Sequence, residues 1–378
     1  MRYKTLSEVG SYVSEKINVS KLRLENYIST ENMISNRGGI SLATKLPSVK
    51  TTTAFQKGDI LISNIRPYFK KIWLADKSGG CSNDVLVIRS DSNFSNRFLY
   101  YVLSSDTFFD YAVSTSKGTK MPRGDKSSIM KYTVPLFSLE EQELISDILK
   151  SYDEKIQLNK QINHHLEEMI DAIFLRYIES SKQLEVKKLG ELFDTKTATF
   201  NPAKASEEKV NHFSLPAFDT SQYPLVDETN NIKSNKNIIK EYSVLFSKLN
   251  PSTKRVWVPF TNQDLISVCS TEFVSLAGKD KIEQAILFAI INSQIFQDYF
   301  VAHATGTTNS RQRTKPSVAY EFEIPYNKNL LYQLGRTLSP LLTQLEDNLH
   351  QIHKITQIRN ELLPKLLSGE LSVTQAAK

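Results

Sequence analysis

The 378-residue sequence contains two cysteines, six histidines and no apolar segment approaching the length needed to cross a bilayer. Each scarcity removes a class of function. Without a CxxC or a His/Cys cluster, two cysteines make neither a disulfide framework nor a zinc site. Cys81 and Cys269 are therefore expected as small buried residues in a reducing cytosol. The opening MRYKTLSEVG lacks an apolar run and a cleavage site, which argues against a secretory signal and for a cytoplasmic protein. Gly118 and Gly124 bracket five residues, but Asp125 stands where a phosphate-binding loop needs Lys, so the segment reads as an ordinary loop. Asn201-Pro202 and Asn250-Pro251 continue with Ala-Lys and Ser-Thr, whereas a base-amino methyltransferase needs Asn/Asp-Pro-Pro-aromatic and a glycine-rich turn. His164, His165, His350 and His353 lie on helical patterns without supporting carboxylate ligands and read as solvated positions. No catalytic residue, cofactor or metal is expected.

What the sequence does contain is a duplication. Ile60-Leu61-Ile62-Ser63-Asn64-Ile65-Arg66-Pro67 returns 184 residues later as Val244-Leu245-Phe246-Ser247-Lys248-Leu249-Asn250-Pro251. Cys81-Ser82-Asn83-Asp84 returns at 188 as Cys269-Ser270-Thr271-Glu272, and Phe108, Asp110, Tyr111, Gly118 and Thr119 return as Phe296, Asp298, Tyr299, Gly306 and Thr307. A repeated globular unit implies pseudo-two-fold symmetry and two related surfaces. Within the first copy, strands are expected over 59–65, 72–75 and 85–88, with Gly79-Gly80 as a turn. The expected counterparts in the second copy are 243–249, 256–259 and 265–268. Each copy also offers one apolar helix, over 96–104 and 282–291.

Each copy closes on a heptad helix. From Ile145 the positions 145, 149, 152, 156, 159, 163, 166, 170, 173 and 177 hold Ile, Leu, Tyr, Ile, Asn, Asn, Leu, Ile, Ile and Tyr. Adding 189 gives Leu334, Leu338, Leu341, Leu345, Asn348, Ile352, Ile355, Arg359, Leu362 and Leu366. Such a stripe is a coiled-coil seam rather than an ordinary surface helix. Asn159 and Asn348 occupy equivalent seam positions and are candidates for fixing its register. Ser339-Pro340 is expected to restart or kink the second helix.

Charge is segregated. Residues 1–138 carry 20 Lys and Arg against 11 Asp and Glu, whereas 139–180 carry 4 against 10, so the first helix is acidic and the unit before it basic. The basic and polar side chains recur on equivalent loops. In the first copy they are Arg66, Tyr68, Lys70 and Lys71, then Lys117, Lys120, Arg123 and Lys126. In the second they are Lys248, Asn250, Lys254 and Arg255, then Thr307, Asn309, Arg311, Arg313 and Lys315. Lys and Arg suit phosphates, while Arg and Asn can read base edges, so these loops are the candidate DNA contacts.

Several segments resemble the DNA-specificity subunits of type I restriction–modification systems. They are Pro135-Leu136-Phe137-Ser138-Leu139-Glu140-Glu141-Gln142, its continuation Asp153-Glu154-Lys155-Ile156-Gln157-Leu158-Asn159, and above all Glu361-Leu362-Leu363-Pro364-Lys365-Leu366-Leu367-Ser368-Gly369-Glu370-Leu371. Lys187-Lys188-Leu189-Gly190-Glu191-Leu192 and Lys4-Thr5-Leu6-Ser7-Glu8-Val9 resemble the starts of that family's recognition domains. The resemblance implies an α+β protein with two β-rich target-recognition domains, 1–138 and 181–328. Spacer helices over 139–180 and 329–378 would form an antiparallel coiled coil. It further implies a non-catalytic subunit that reads a bipartite, asymmetric site in double-stranded DNA. Its partners would be two methyltransferase subunits using S-adenosylmethionine and motor–nuclease subunits using ATP and magnesium. A protein-only coiled-coil scaffold, or a specificity subunit serving a fused methyltransferase–nuclease, are the alternatives.

Overall fold

The computed structural model describes residues 2–260, 264–306, 312–372 and 375. It divides into one unit of Met1–Glu154 with Ile355–Lys378 and another of Lys155–Lys354. Both are α+β, and each long helix contributes a stretch to either unit.

In the first unit, Gly10–Tyr12, Val85–Ser90, Ile60–Ser63 and Ile72–Leu74 form an antiparallel sheet in that order. A second sheet runs Lys16–Asn18, Thr51–Phe55, Gly79–Cys81, Tyr27–Ile28, the last pair parallel. Gly79-Gly80 is thus strand, not the expected turn. A Cβ on Gly79 would lie 2.0 Å from the Asn26 carbonyl oxygen, and one on Gly80 2.7 Å from the Leu22 side chain, so neighbouring chain and side chain close in where side chains are missing. The second unit repeats the plan with Ser243–Ser247 between Val256–Trp257 and Phe273–Ala277, beside a five-stranded sheet that includes Ser267–Cys269. The strand matching Val85–Ser90 is therefore Phe273–Ala277, and Ser267–Cys269 matches Gly79–Cys81. The sequence pairing of 265–268 with 85–88 is corrected accordingly. Alternation could not separate the two, because Ser267–Cys269 and Phe273–Ala277 are buried at every position.

The apolar helices expected over 96–104 and 282–291 are present, and each is followed by a second helix that was not expected. Asn96–Ser104 gives way to Asp106–Ser114 because the Ser105 hydroxyl accepts the Phe108 N–H, starting a new helix. Lys281–Asn292 gives way to Gln294–Ala302 through Ser293 and Phe296 in the same way. Phe108 and Phe296, equivalent in the repeat, are both fully buried. Cys81 and Cys269 are buried free thiols as expected, and burial pushes both up to about 12, so neither ionises near neutrality. Among the described residues no single helix is long and apolar enough to cross a membrane.

The long helices are Leu139–Ser180 and Lys328–Ser368. The first opens on a capping box: Ser138 donates its N–H to Glu141 Oε2 at 2.8 Å, and Glu141 N–H returns to Ser138 Oγ at 3.2 Å. The second runs as unbroken helix through Ser339-Pro340, correcting the expected restart, with fully buried Leu338 and Leu342 anchoring it on either side. In the second unit the helices run antiparallel, since Asn159 Nδ2 donates to Gln351 Oε1 at 3.2 Å and Asn348 Nδ2 to Asn163 Oδ1 at 2.8 Å. In the first, Arg359 pairs with Asp153 at 2.5 Å. The seam drifts from strict heptads: Leu342 and Leu363 are buried more fully than Leu341 and Leu362. A 3.6-residue helix slips by about 20° per heptad, which rotates the next residue inward.

His353 is half-buried rather than the solvated position expected, and His350, though exposed, also meets an aromatic ring. Tyr223 stacks on His353 with ring centroids 3.6 Å apart, and Phe260 lies 3.8 Å from His350. Burial pushes both imidazoles below the ordinary value of 6.5, with Asp347 opposing this at His350 and His350 adding to it at His353. The unfolded chain then binds protons more readily than the folded one. The stability from these rings is complete above about pH 6.5 and is lost as pH falls through the folded values. The thermal midpoint should drop between pH 7.5 and 5.5, and His353→Phe, which keeps a ring on Tyr223, should flatten that drop. An equal drop in the variant would refute the assignment.

Candidate nucleic-acid interface

The loops singled out by the repeat are joined in pairs by the fold, and the joints are the same in both units. In the first, the turn after Ile60–Ser63 meets the segment after Asp106–Ser114. Arg66 N–H donates to Pro122 O at 2.8 Å, Gly124 N–H to Asn64 O at 3.0 Å, and Asn64 N–H to Asp84 O at 2.8 Å. In the second, Asn250 N–H donates to Gln312 O at 2.9 Å, Thr314 N–H to Lys248 O at 3.0 Å, and Lys248 N–H to Glu272 O at 2.9 Å. Arg66 and Asn250 share a left-handed backbone, with φ of 50° and 48°. Each joint carries one Arg–carboxylate pair, Arg123 with Asp84 at 3.2 Å and Arg313 with Glu272 at 3.0 Å. Glu272 raises the Arg313 pKa above its usual value, chiefly through their hydrogen bonds.

The candidate cations therefore divide. Arg123 and Arg313 face carboxylates within the joint. Arg255 grips Asp219 through two bonds of 2.6 and 3.0 Å. Lys117 pairs with Asp125, whose carboxyl is held well below its ordinary range by that ammonium and by Ser127 and Ser128. Lys70 shares Asp106 with Arg37, each at 2.5 Å. Burial opposes ionisation of Asp106, and the bonds from Lys70 and Arg37 outweigh it to lower its pKa. Lys71 is part-buried, which lowers its pKa, and donates to Thr30 O at 2.7 Å.

Tyr68, Lys120, Lys126 and Lys315 are exposed, and the three lysines have no ion pair among the described residues. Lys254 is exposed too, within electrostatic reach of Glu167 and Asp171. Lys248 and Asn250 are half-buried in the second joint. Thr307, Asn309 and Arg311 lie outside the described residues. Among the described residues no group of three or more His, Cys, Asp or Glu side chains is arranged to hold a metal.

Sequence reasoning missed the carboxylates. The signal was present: Asp84 and Glu272 end the repeated Cys81-Ser82-Asn83-Asp84 and Cys269-Ser270-Thr271-Glu272, acidic in both copies. Only the pairing across the joint gives them a role.

The family model of the type I restriction modification DNA specificity domain matches residues 2–168. The MjaIX type I restriction enzyme specificity subunit of Methanocaldococcus jannaschii is 22% identical over 379 residues, spanning 93% of this chain and 86% of that protein. Residues 2–168 thus carry the type I restriction modification DNA specificity domain, and over nearly its full length the chain is similar to a type I specificity subunit. The HindI specificity subunit of Haemophilus influenzae is 27% identical over 179 residues, which is 45% of this chain and 39% of that protein. In fold, it resembles the crystal structure of the type I system S subunit from M. genitalium, with a TM-score of 0.55 at 16% identity over 97% of this chain and 96% of that one.

Proposed function

We propose that this specificity subunit reads double-stranded DNA in two unlike halves, one through each loop joint, and carries no catalytic step itself. The observation that supports this most directly is the repeated joint. The same backbone bonds and Arg–carboxylate pair brace a loop in each unit, while the side chains displayed differ: Tyr68, Lys120 and Lys126 in one, Lys248 and Lys315 in the other. A common brace with different displayed groups suits an asymmetric, bipartite target.

In this reading the exposed lysines approach phosphates and set position, while the remaining polar loop residues approach base edges. Target-recognition domains over 1–138 and 181–328, with spacer helices over 139–180 and 329–378, divide the work. Asn159 and Asn348 contribute to the register of the helix pair. The acidic first helix favours a protein partner over DNA, so two methyltransferase subunits would dock along the helices. Motor–nuclease subunits would join them in the full complex, in the cytoplasm.

The test is a pair of substitutions in the complex with its methyltransferase. Lys120→Ala with Lys126→Ala should weaken binding to DNA altered in one half-site no further, yet weaken binding to DNA altered in the other. The salt dependence should also fall by about two phosphate contacts. Equal loss through both half-sites would contradict the division of labour. Failure of the unaltered complex to bind DNA at any salt would favour a protein-only scaffold.

A further inference from the structure

We propose that Tyr68 and Phe69 form an aromatic wedge that enters a base step in the half-site read by the first unit. This rests on the DNA-reading function above and adds a mode of contact that basic side chains cannot provide.

Both rings are exposed, Tyr68 by 47% and Phe69 by 38%, and they lean on each other with centroids 4.7 Å apart. Exposing two aromatic side chains side by side sacrifices burial that would stabilise the fold. Their backbone is nevertheless locked. Phe69 N–H donates to Arg66 O at 2.9 Å, Asn36 N–H to Phe69 O at 2.8 Å, and Arg37 N–H to Lys70 O at 2.9 Å. Four non-glycine residues meet there in the left-handed region: Asn36 at φ 55°, Arg37 at 62°, Arg66 at 50° and Lys70 at 50°. Such a conformation is routine for Asn but unfavourable for Arg37, Arg66 and Lys70, where it persists only if the surroundings hold it, as functional sites do. The outcome is a short turn whose tip is rigid and apolar.

The charge around the tip selects the occupant. Lys71 lies 5.8 Å over the Phe69 ring, and Lys70 and Arg37, both held by the single carboxylate of Asp106, leave the surroundings net positive. An apolar tip in net positive surroundings matches the DNA minor groove, where wedges of this kind part a base step. The equivalent turn of the second unit, Asn250-Pro251-Ser252-Thr253, has the same left-handed entry but no aromatic residue. The distortion should therefore be confined to one half-site.

The experiment uses the complex of this chain with its methyltransferase and duplexes carrying its recognised site, obtained by sequencing methylated bases. A single 2-aminopurine is moved through positions other than the target adenine. We expect a rise in fluorescence at one step of one half-site. It should be lost in Tyr68→Ala/Phe69→Ala together with about tenfold in affinity, and kept in Tyr68→Phe. Phe69 is more than half covered, so Tyr68→Ala alone, at the more exposed ring, is the control: it should melt close to the wild type and still lower the fluorescence rise. Wild-type binding without unstacking in either half-site, or an alanine variant that unstacks as well as wild type, overturns the wedge alone. Absence of any DNA binding by the wild-type complex overturns the DNA-reading function and the wedge with it.

Discussion

Inserting one heptad into each long helix, after Glu154 in the first and before Ile355 in the second, should abolish methylation of the natural site. It should also create a new site with the same two half-sites and a longer spacer. Both inserts fall where the chain passes from one unit to the other, so the described contacts inside each unit are untouched. Seven residues keep the seam on one face and add about 10 Å of helix at 1.5 Å per residue. That corresponds to roughly three base pairs, given the 3.4 Å spacing of phosphates along a strand. Sequencing the methylated bases after co-expression with the methyltransferase reads the result directly. An unchanged spacer would eliminate the helices as a ruler, whereas loss of the old motif together with gain of the longer one would establish them.

The second large effect concerns the polar layer in the seam. Asn348 and Asn163 are both buried, and their 2.8 Å bond is flanked by Gln344 Nε2 donating to Asn348 Oδ1 at 2.9 Å and Asn163 Nδ2 donating to Leu345 O at 3.4 Å. Asn348→Leu alone strands the Asn163 oxygen in an apolar seam, at a cost of about 1–3 kcal/mol. The double variant Asn163→Leu/Asn348→Leu removes both partners and should recover most or all of that loss, because matched apolar replacement of a buried polar pair is close to neutral. Denaturant melts of the single and double variants measure the difference. If the losses simply add, the pair does not act as a unit. If the double variant is stable but methylates with more than one spacer length, the polar layer specifies register rather than strength.

The sequence exposed some of this and concealed the rest for identifiable reasons. Heptads and an internal repeat are periodic, so they can be read without knowing what touches what. The seam residues Ile145, Leu149, Ile170, Leu338 and Leu345 are buried as the period requires. The helices that follow Ser105 and Ser293 were concealed, because a lone N-cap serine within an apolar stretch looks like any other polar residue. Gly79-Gly80 resembled a turn because glycine serves turns and close backbone approach alike, and only the Asn26 carbonyl distinguishes them.

The cations of the candidate interface illustrate the same limit. The sequence marks Arg123 and Lys120 alike as basic residues on one polar loop, yet the fold places Arg123 against Asp84 and leaves Lys120 exposed. Likewise Arg255 and Lys254 are neighbours in the chain, but Arg255 is held by Asp219. Which positive charges remain available is a matter of non-local pairing, since each carboxylate reaches its Arg only after strands and loops distant in sequence have met.

By itself, then, the sequence determined that the molecule is duplicated, mixed α and β, built on two heptad helices, and that several of its segments resemble those of type I specificity subunits. Those properties are written in periodicity, composition and short motifs. The tertiary structure alone decided that the two loops of each unit share a joint and that Asn348 bonds Asn163. It alone placed Tyr68 and Phe69 on a rigid exposed turn, because contact, burial and left-handed strain arise only when residues far apart in the chain are brought together.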